Sequence, residues 1–145
     1  MPDLSAALRN AIIGHLPISA HLAQWSGEPA VFTRVPVPEE TPYPLCVIPA
    51  AISITDFDGL NSSRPIVQRD IIFYGRKGGA GNDDYRIIEQ MAFEARRLFH
   101  RQKFSAIPNG FAVVDIRVNG PTPAPVDDEK TVARMVSLII RLREI

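Results

Sequence analysis

Cysteine is nearly absent. Cys46 stands alone, so no internal disulfide can form, and a free thiol fits a reducing compartment. It lies in the apolar run LCVI, which reads as the place of a small core residue and not of a nucleophile. Charge of one sign is missing as well: 16 basic residues balance 16 acidic ones, which removes any global attraction to nucleic acid or anionic lipid. No apolar run approaches the roughly 20 residues needed to span a bilayer, and the opening MPDLSAALRN lacks the form of a signal peptide. A soluble protein made in the cytoplasm is expected. Internal repeats and low-complexity tracts do not occur.

Catalytic signatures are equally scarce. The histidines His15, His21 and His100 are scattered, and neither an HExxH nor a CxxC pattern is present. Asp56 and Asp58 flank Phe57, but the glycine that follows marks a turn. The run Asp127, Asp128, Glu129 lacks the glycine and the ligand periodicity of a calcium loop. No Ser or Thr is flanked as a nucleophile elbow requires. The expectation is a protein that is not an enzyme and that needs no cofactor or metal.

What the chain does have is a glycine-rich connection, FYGRKGGAGNDDYRII, between a strand-like run and a helix. Its spacing excludes a phosphate cradle. Gly75 and Lys77 stand in the wrong order for a P-loop, and Gly81 is followed by Asn82 and Asp83 where Lys and a hydroxyl belong. In a dinucleotide fingerprint the third glycine would fall on Asp84. Asp83 and Asp84 would also place carboxylates where the phosphate must bind. The segment reads as a flexible strand-to-helix connection capped by Asn82 or Asp83.

With 145 residues the chain is long enough for one domain, residues 1–145, burying roughly 70% of its unfolded surface. Residues 3 to 15 carry Leu4, Leu8, Ile12 and His15 at helical spacing, with Asp3 as cap and Gly14 and Pro17 as terminators. Ser19 is placed to cap a further turn carrying Leu22 and Trp25. VFTRV reads as a short edge strand, and the proline-rich VPVPEETPYP as an extended connection. LCVIPAAISITDF is a strand interrupted at Pro49, a bulge or edge position. After the turn DGLNSSRP, the run IVQRDIIFY completes a hairpin.

A helix is expected from about Asp84 to Lys103, with a stripe of Tyr85, Ile88, Ala92, Ala95 and Phe99, widened by Met91 and Leu98. Acids open it, and Arg96, Arg97, Arg101 and Lys103 close it, which complements the helix dipole. In FAVVDIRVN, Ala112, Val114, Ile116 and Val118 share one side, and Asp115 and Arg117 the other. In the last strand Val132, Val136, Leu138, Ile140 and Leu142 share a face. Between these strands, GPTPAPVDDEK is long for a hairpin loop and reads as functional. The fold class is therefore α+β: a mostly antiparallel sheet of four to five strands with helices packed on one face, in the order α-β-β-α-β-β, with an extra short strand early.

Several phrases together carry a resemblance. They are DLSAALRNAI in the first helix, PYP entering the first long strand, the strand end ITDFDGL, and VQRDIIFYGRKGG before the helix EQMAFEARRLFH. VVDIRVNGP then precedes a terminal strand rich in Arg and branched aliphatics. In layout and order, over nearly the whole chain, the sequence resembles the tail terminator proteins of long-tailed bacteriophages, also called tail completion or tail-to-head joining proteins, with relatives in prophages and gene transfer agents. The resemblance implies a structural protein without a catalytic residue, which assembles as a ring of six on the end of a finished tail tube. Its implied partners are its own copies, the major tail tube protein and the head connector or neck proteins, with no specific nucleic acid sequence and no membrane. Its implied location is the host cytoplasm during assembly and then the head-proximal end of the virion tail. A ring-former needs side and end surfaces, and the two loops supply candidates: Arg76 and Lys77 in one, Asp127, Asp128 and Glu129 in the other. The alternatives are another neck or tail-tube component of such a particle, or a small α+β ligand-binding domain.

Overall fold

The alternating aliphatics of residues 131–144 become an inner strand of a sheet, and the rest of the fold is laid against it. In the computed structural model of the chain, residues 4–33, 41–50, 53–58, 63–76, 84–100, 111–124, 126 and 130–144 are described. The elements run α1 (Ser5–Gly14), α2 (Leu16–Ser19), β1 (Gln24–Trp25), β2 (Glu28–Pro29), β3 (Val31–Phe32), β4 (Leu45–Val47), β5 (Ser53–Asp58), β6 (Ser63–Arg76), α3 (Tyr85–Phe99), β7 (Phe111–Pro123) and β8 (Thr131–Glu144). The main sheet has the order β3-β4-β6-β8-β7, and β5 also pairs with β6. All its pairs are antiparallel except β3 with β4. The fold is α+β, as its sequence pattern implies, and the two short N-terminal contributions, β3 and β4, bring the main sheet to six strands.

One face of this sheet carries the core. Alternation along paired strands puts Val67, Ile71 and Phe73 of β6 beside Val136, Leu138 and Ile140 of β8, all buried. Leu8 and Ile12 of α1 and Ile88, Met91, Ala95 and Phe99 of α3 close over them in one apolar cluster. Phe73 and Phe99 are fully buried, each worth about 1.5–3 kcal/mol of transfer free energy. A smaller cluster lies on the opposite face, where Leu45 pairs with Tyr74 and packs near Val47, Ala30, Trp25, Phe32 and Tyr43.

Charged side chains tie the helices to the sheet around the core. Arg69, buried in the core-facing column of β6, donates to Ser5 Oγ at 3.0 Å in the first turn of α1. Arg9 of α1 donates to the Val31 carbonyl at 3.3 Å and to Glu28 at 2.7 Å. Arg134 of β8 meets Glu89 of α3 at 3.1 Å and lies 4.6 Å from the centre of the Tyr85 ring. Partial burial works against the Arg134 charge, but Tyr85 and Glu89 outweigh it and hold its pKa above the ordinary guanidinium value.

Pro49 breaks the first long strand as its sequence implies. β4 and β5 both lie on one edge of β6, and between the pairs Val47↔Ile72 and Ser53↔Gln68 the broken strand carries two surplus residues. Other expectations need correction. The first helix starts at Ser5 with Leu4 in the cap position, and Asp3 lies outside the described residues. Ser19 ends α2 instead of capping a turn, and Trp25 belongs to the small β1–β2 hairpin, whose turn residues Ser26 and Gly27 both have positive φ, 52° and 84°. The third helix stops at Phe99, because His100 adopts an extended conformation. Tyr85 is 40% exposed and lies at the rim of the stripe. In β7 the pairing shifts between Val113 and Asp115. Val114 is the extra residue, so Val113 turns inward at 6% exposure while Val114 faces out at 45%.

Candidate assembly surface

The glycine-rich segment and the acidic segment, far apart in sequence, leave the fold side by side. β6 ends at Arg76 and β8 begins at Thr131, and the register pairs these two residues directly. Residues 77–83 and 127–129, which include Lys77, Asp127, Asp128 and Glu129, lie outside the described residues, but their anchoring ends are fixed. Arg76 donates from Nη1 to Thr131 Oγ1 at 3.1 Å, and its guanidinium stacks 4.3 Å from the centre of the Tyr43 ring. Arg76, expected as a contact charge, is thus also tied into the end of the sheet. A cation over an aromatic face contributes about 0.5–1 kcal/mol at an exposed site.

The neck of the glycine segment is tied shut. The Arg76 N–H donates to Asp84 Oδ2 at 2.9 Å, and the Asp84 N–H donates back to the Arg76 carbonyl at 3.1 Å. Gly75 makes this possible. A β-carbon there would sit 2.6 Å from the Asp84 β-carbon and 3.0 Å from Ile88 Cγ2, so glycine is what allows the first turn of α3 onto the sheet. At the start of this helix a phosphate would meet the Asp84 carboxylate, which already holds the adjacent backbone N–H. Asn82 and Asp83, the expected caps, lie outside the described residues, and Asp84 in the cap position makes no side-chain cap bond.

The β7–β8 connection is shorter than the proline pattern implies. Thr122 and Pro123 still pair with Met135 and Arg134, after a second register shift between Asn119 and Thr122. Gly120 occupies that bulge with φ +107°, and a β-carbon there would sit 2.8 Å from the Met135 carbonyl oxygen. Two side chains from the end of α3 hold the bulged strand. Arg96 Nη1 donates to the carbonyls of Val118 at 3.0 Å and Gly120 at 2.8 Å, and His100 Nδ1 accepts from the Val118 N–H at 3.1 Å. In sequence Arg96 is legible only as a charge complementing the helix dipole. Its carbonyl partners depend on a bulge that the alternation of β7 conceals.

Elsewhere, a surface cleft of about 570 Å³ is lined by His15, Pro17, Glu94, Arg97 and Leu98. Its polar groups are partnered with each other: Glu94 lies 3.3 Å from both His15 Nε2 and Arg97 Nη1. Among the described residues no group of three or more His, Cys, Asp or Glu side chains is placed to hold a metal ion, and no helix is long and apolar enough to cross a membrane. Cys46 is fully buried, and burial pushes its thiol far up, so it stays protonated and unreactive.

No protein-family model matches the chain, and no curated protein matches it. Among solved structures its fold is similar to that of a chain in the virion of a native gene transfer agent particle, with a TM-score of 0.68 at 15% sequence identity. The match covers 97% of this chain and 93% of that one. At this identity the likeness is one of fold.

Proposed function

We propose that the chain is a structural component of a phage-like virion, and within it the protein that closes the head-proximal end of the tail tube as a ring and joins the tail to the head connector. The observation that carries the reading is the fold shared, over nearly the full length of both chains, with a chain of a gene transfer agent virion. The resemblance of the sequence phrases to tail terminators rests on other grounds and supports it independently. The architecture suits such a role, because the two charged segments of the sequence join the same end of the sheet, at the paired residues Arg76 and Thr131. On this reading the protein acts by closure and contact and performs no catalysis. Its partners are its own copies, the tube protein and the neck proteins, and its final place is the head-proximal end of the tail.

A ring on a tube tip gains from two kinds of interface. Once a subunit rests on the tube, its contact with the next subunit becomes effectively intramolecular, so the ring forms cooperatively on its template. Purified protein added to tail tubes of the particle should therefore appear by electron microscopy as a single terminal ring, and tubes so capped should cease to elongate. Continuous stacking of the protein would assign it to the tube itself. Failure to bind tubes would overturn the reading.

A further inference from the structure

Of the bonds that join the end of α3 to the bulged strand β7, one can exist in a single protonation state only. The Val118 N–H donates to His100 Nδ1 at 3.1 Å. A neutral imidazole accepts only at its bare nitrogen, so this bond places the His100 proton on Nε2 and leaves Nδ1 without one. Imidazolium carries a proton on both nitrogens and accepts at neither. The residue is fixed from behind as well: its own N–H donates to the Arg96 carbonyl at 2.8 Å, so the ring comes directly off the last turn of α3 onto the strand.

We infer that His100 is a proton-sensitive latch: neutral, it holds the β7 edge at Val118, and protonated, it releases it. The charged groups around the ring favour release. On α3, Arg96 brings its guanidinium to the Val118 carbonyl at 3.0 Å, and the exposed Arg97 meets Glu94. On β7, Val118 is buried toward the core, which sends Arg117 and Asn119 to the other face, where Arg117 meets Asp115. On β8 the residue opposite is Leu138, buried and apolar. Among the described residues no carboxylate is paired with His100, and the ten residues that follow it in sequence, RQKFSAIPNG, contain Arg101 and Lys103 and no acid. A proton on Nδ1 therefore sets N–H against N–H beside a guanidinium. Imidazole changes charge between about pH 5 and 8, so the latch works around neutrality. Bare N–H groups on a sheet edge are a template for pairing with another chain, and the latch sets the pH at which this stretch of β7 is guarded. It is a property of the single chain and does not rest on the ring reading.

The test is amide hydrogen exchange by NMR on the full-length protein, read at Val118 and at Ile140, with each rate corrected for the intrinsic effect of pH. In the wild type, protection of Val118 should fall about tenfold between roughly pH 7.5 and 5.5, the range over which an unperturbed imidazole gains its proton. Ile140 should keep its protection. His100→Asn supplies a side-chain carbonyl close to where Nδ1 stands, so Val118 should stay protected at both pH values. His100→Ala should leave it poorly protected at both. His15, which meets Glu94, is retained in every variant, so a pH response that persists in them belongs to another group and overturns the inference. Equal loss at Val118 and Ile140 would mean that acid opens the whole sheet, and equal protection of wild-type Val118 at both pH values would mean that His100 is no latch. Nitrogen-15 spectra of the imidazole are an independent readout. Nδ1 should be bare at about pH 7.5, and a proton found there would overturn the inference whatever the exchange rates.

Discussion

Arg76 and Asp84 exchange two hydrogen bonds across the neck of the glycine-rich segment, at 2.9 and 3.1 Å. The pair joins the last residue of β6 to the cap position of α3, and it closes over Gly75, which has no room for a side chain. The strand-to-helix connection, whose spacing already excludes a phosphate cradle, is thus pinned at its base, with the Asp84 carboxylate used internally.

Gly75→Ala should therefore destabilise the fold by about 1–3 kcal/mol, the cost of overpacking a tight contact. Asp84→Ala should cost about 1 kcal/mol through loss of the side-chain bond. The Asp84 β-carbon is the nearest obstacle, so Gly75→Ala should cost less in an Asp84→Gly background than in the wild type. Urea denaturation of the four combinations measures this coupling. Strict additivity would show that the clash with Asp84 is not what fixes glycine at position 75.

Much of this fold is legible in the sequence because its longest elements are strongly periodic. The stripe from Ile88 to Phe99, the trio Leu4, Leu8 and Ile12, and the inward face of β8 from Val132 to Leu142 are all buried as their spacing implies. The break at Pro49 is also readable, because proline cannot donate within a ladder. What local pattern cannot give are facts of register and long-range pairing. Val114 fits a perfect alternation, yet the bulge beside it turns it to solvent. The parallel pairing of Val31 with Cys46 has no local signature at all. The same holds for the buried Arg69, whose partner Ser5 lies 64 residues away in the chain. Of the candidate contact residues, Arg76 does lie at a loop mouth as its sequence context implies, but its stacking on Tyr43 requires the third dimension. That the glycine and acidic segments leave the fold together follows only from the Arg76↔Thr131 register.

Cys46 gives the stability a defined pH dependence. In the folded chain burial pushes its thiol up and keeps the proton on; in the unfolded chain it ionises from about pH 8.5. Above that value the unfolded state binds fewer protons than the native state, so stability should fall as pH rises, by up to about 1.4 kcal/mol per unit from this group. Below it the group contributes no slope. Lysines and tyrosines titrate in the same range, so the measurement is the difference in slope between wild type and Cys46→Ala in urea unfolding from about pH 8 to 10. Equal slopes would mean that the thiol is not protected as its burial implies. Thiol reagents at neutral pH should modify Cys46 only as fast as the protein opens.

Arg96 and Arg97 sit side by side in the last turn of α3, and the helix dipole would favour a positive charge at either. Their geometry separates them. The Arg97 side chain is 77% exposed and meets Glu94 at 3.3 Å, whereas Arg96 Nη1 bridges the carbonyls of Val118 and Gly120 on the edge strand β7. If the dipole were the main effect, lysine would replace either residue without loss. The bridging geometry implies otherwise. The two N–H bonds of Nη1 are held in fixed directions by the guanidinium plane, whereas an ammonium on a flexible stem must be ordered to make both bonds. Arg97→Lys should leave the melting temperature unchanged. Arg96→Lys should lower stability measurably, and Arg96→Met, which keeps the apolar stem, should cost about 1–3 kcal/mol by stranding two part-buried carbonyls. Native-state hydrogen exchange adds a local readout. His100→Ala should speed exchange of the Val118 N–H, the donor that His100 Nδ1 now accepts, with little change at Ile140 in the sheet interior. Uniform acceleration across the sheet would mean that the clasp carries global stability instead of guarding one edge.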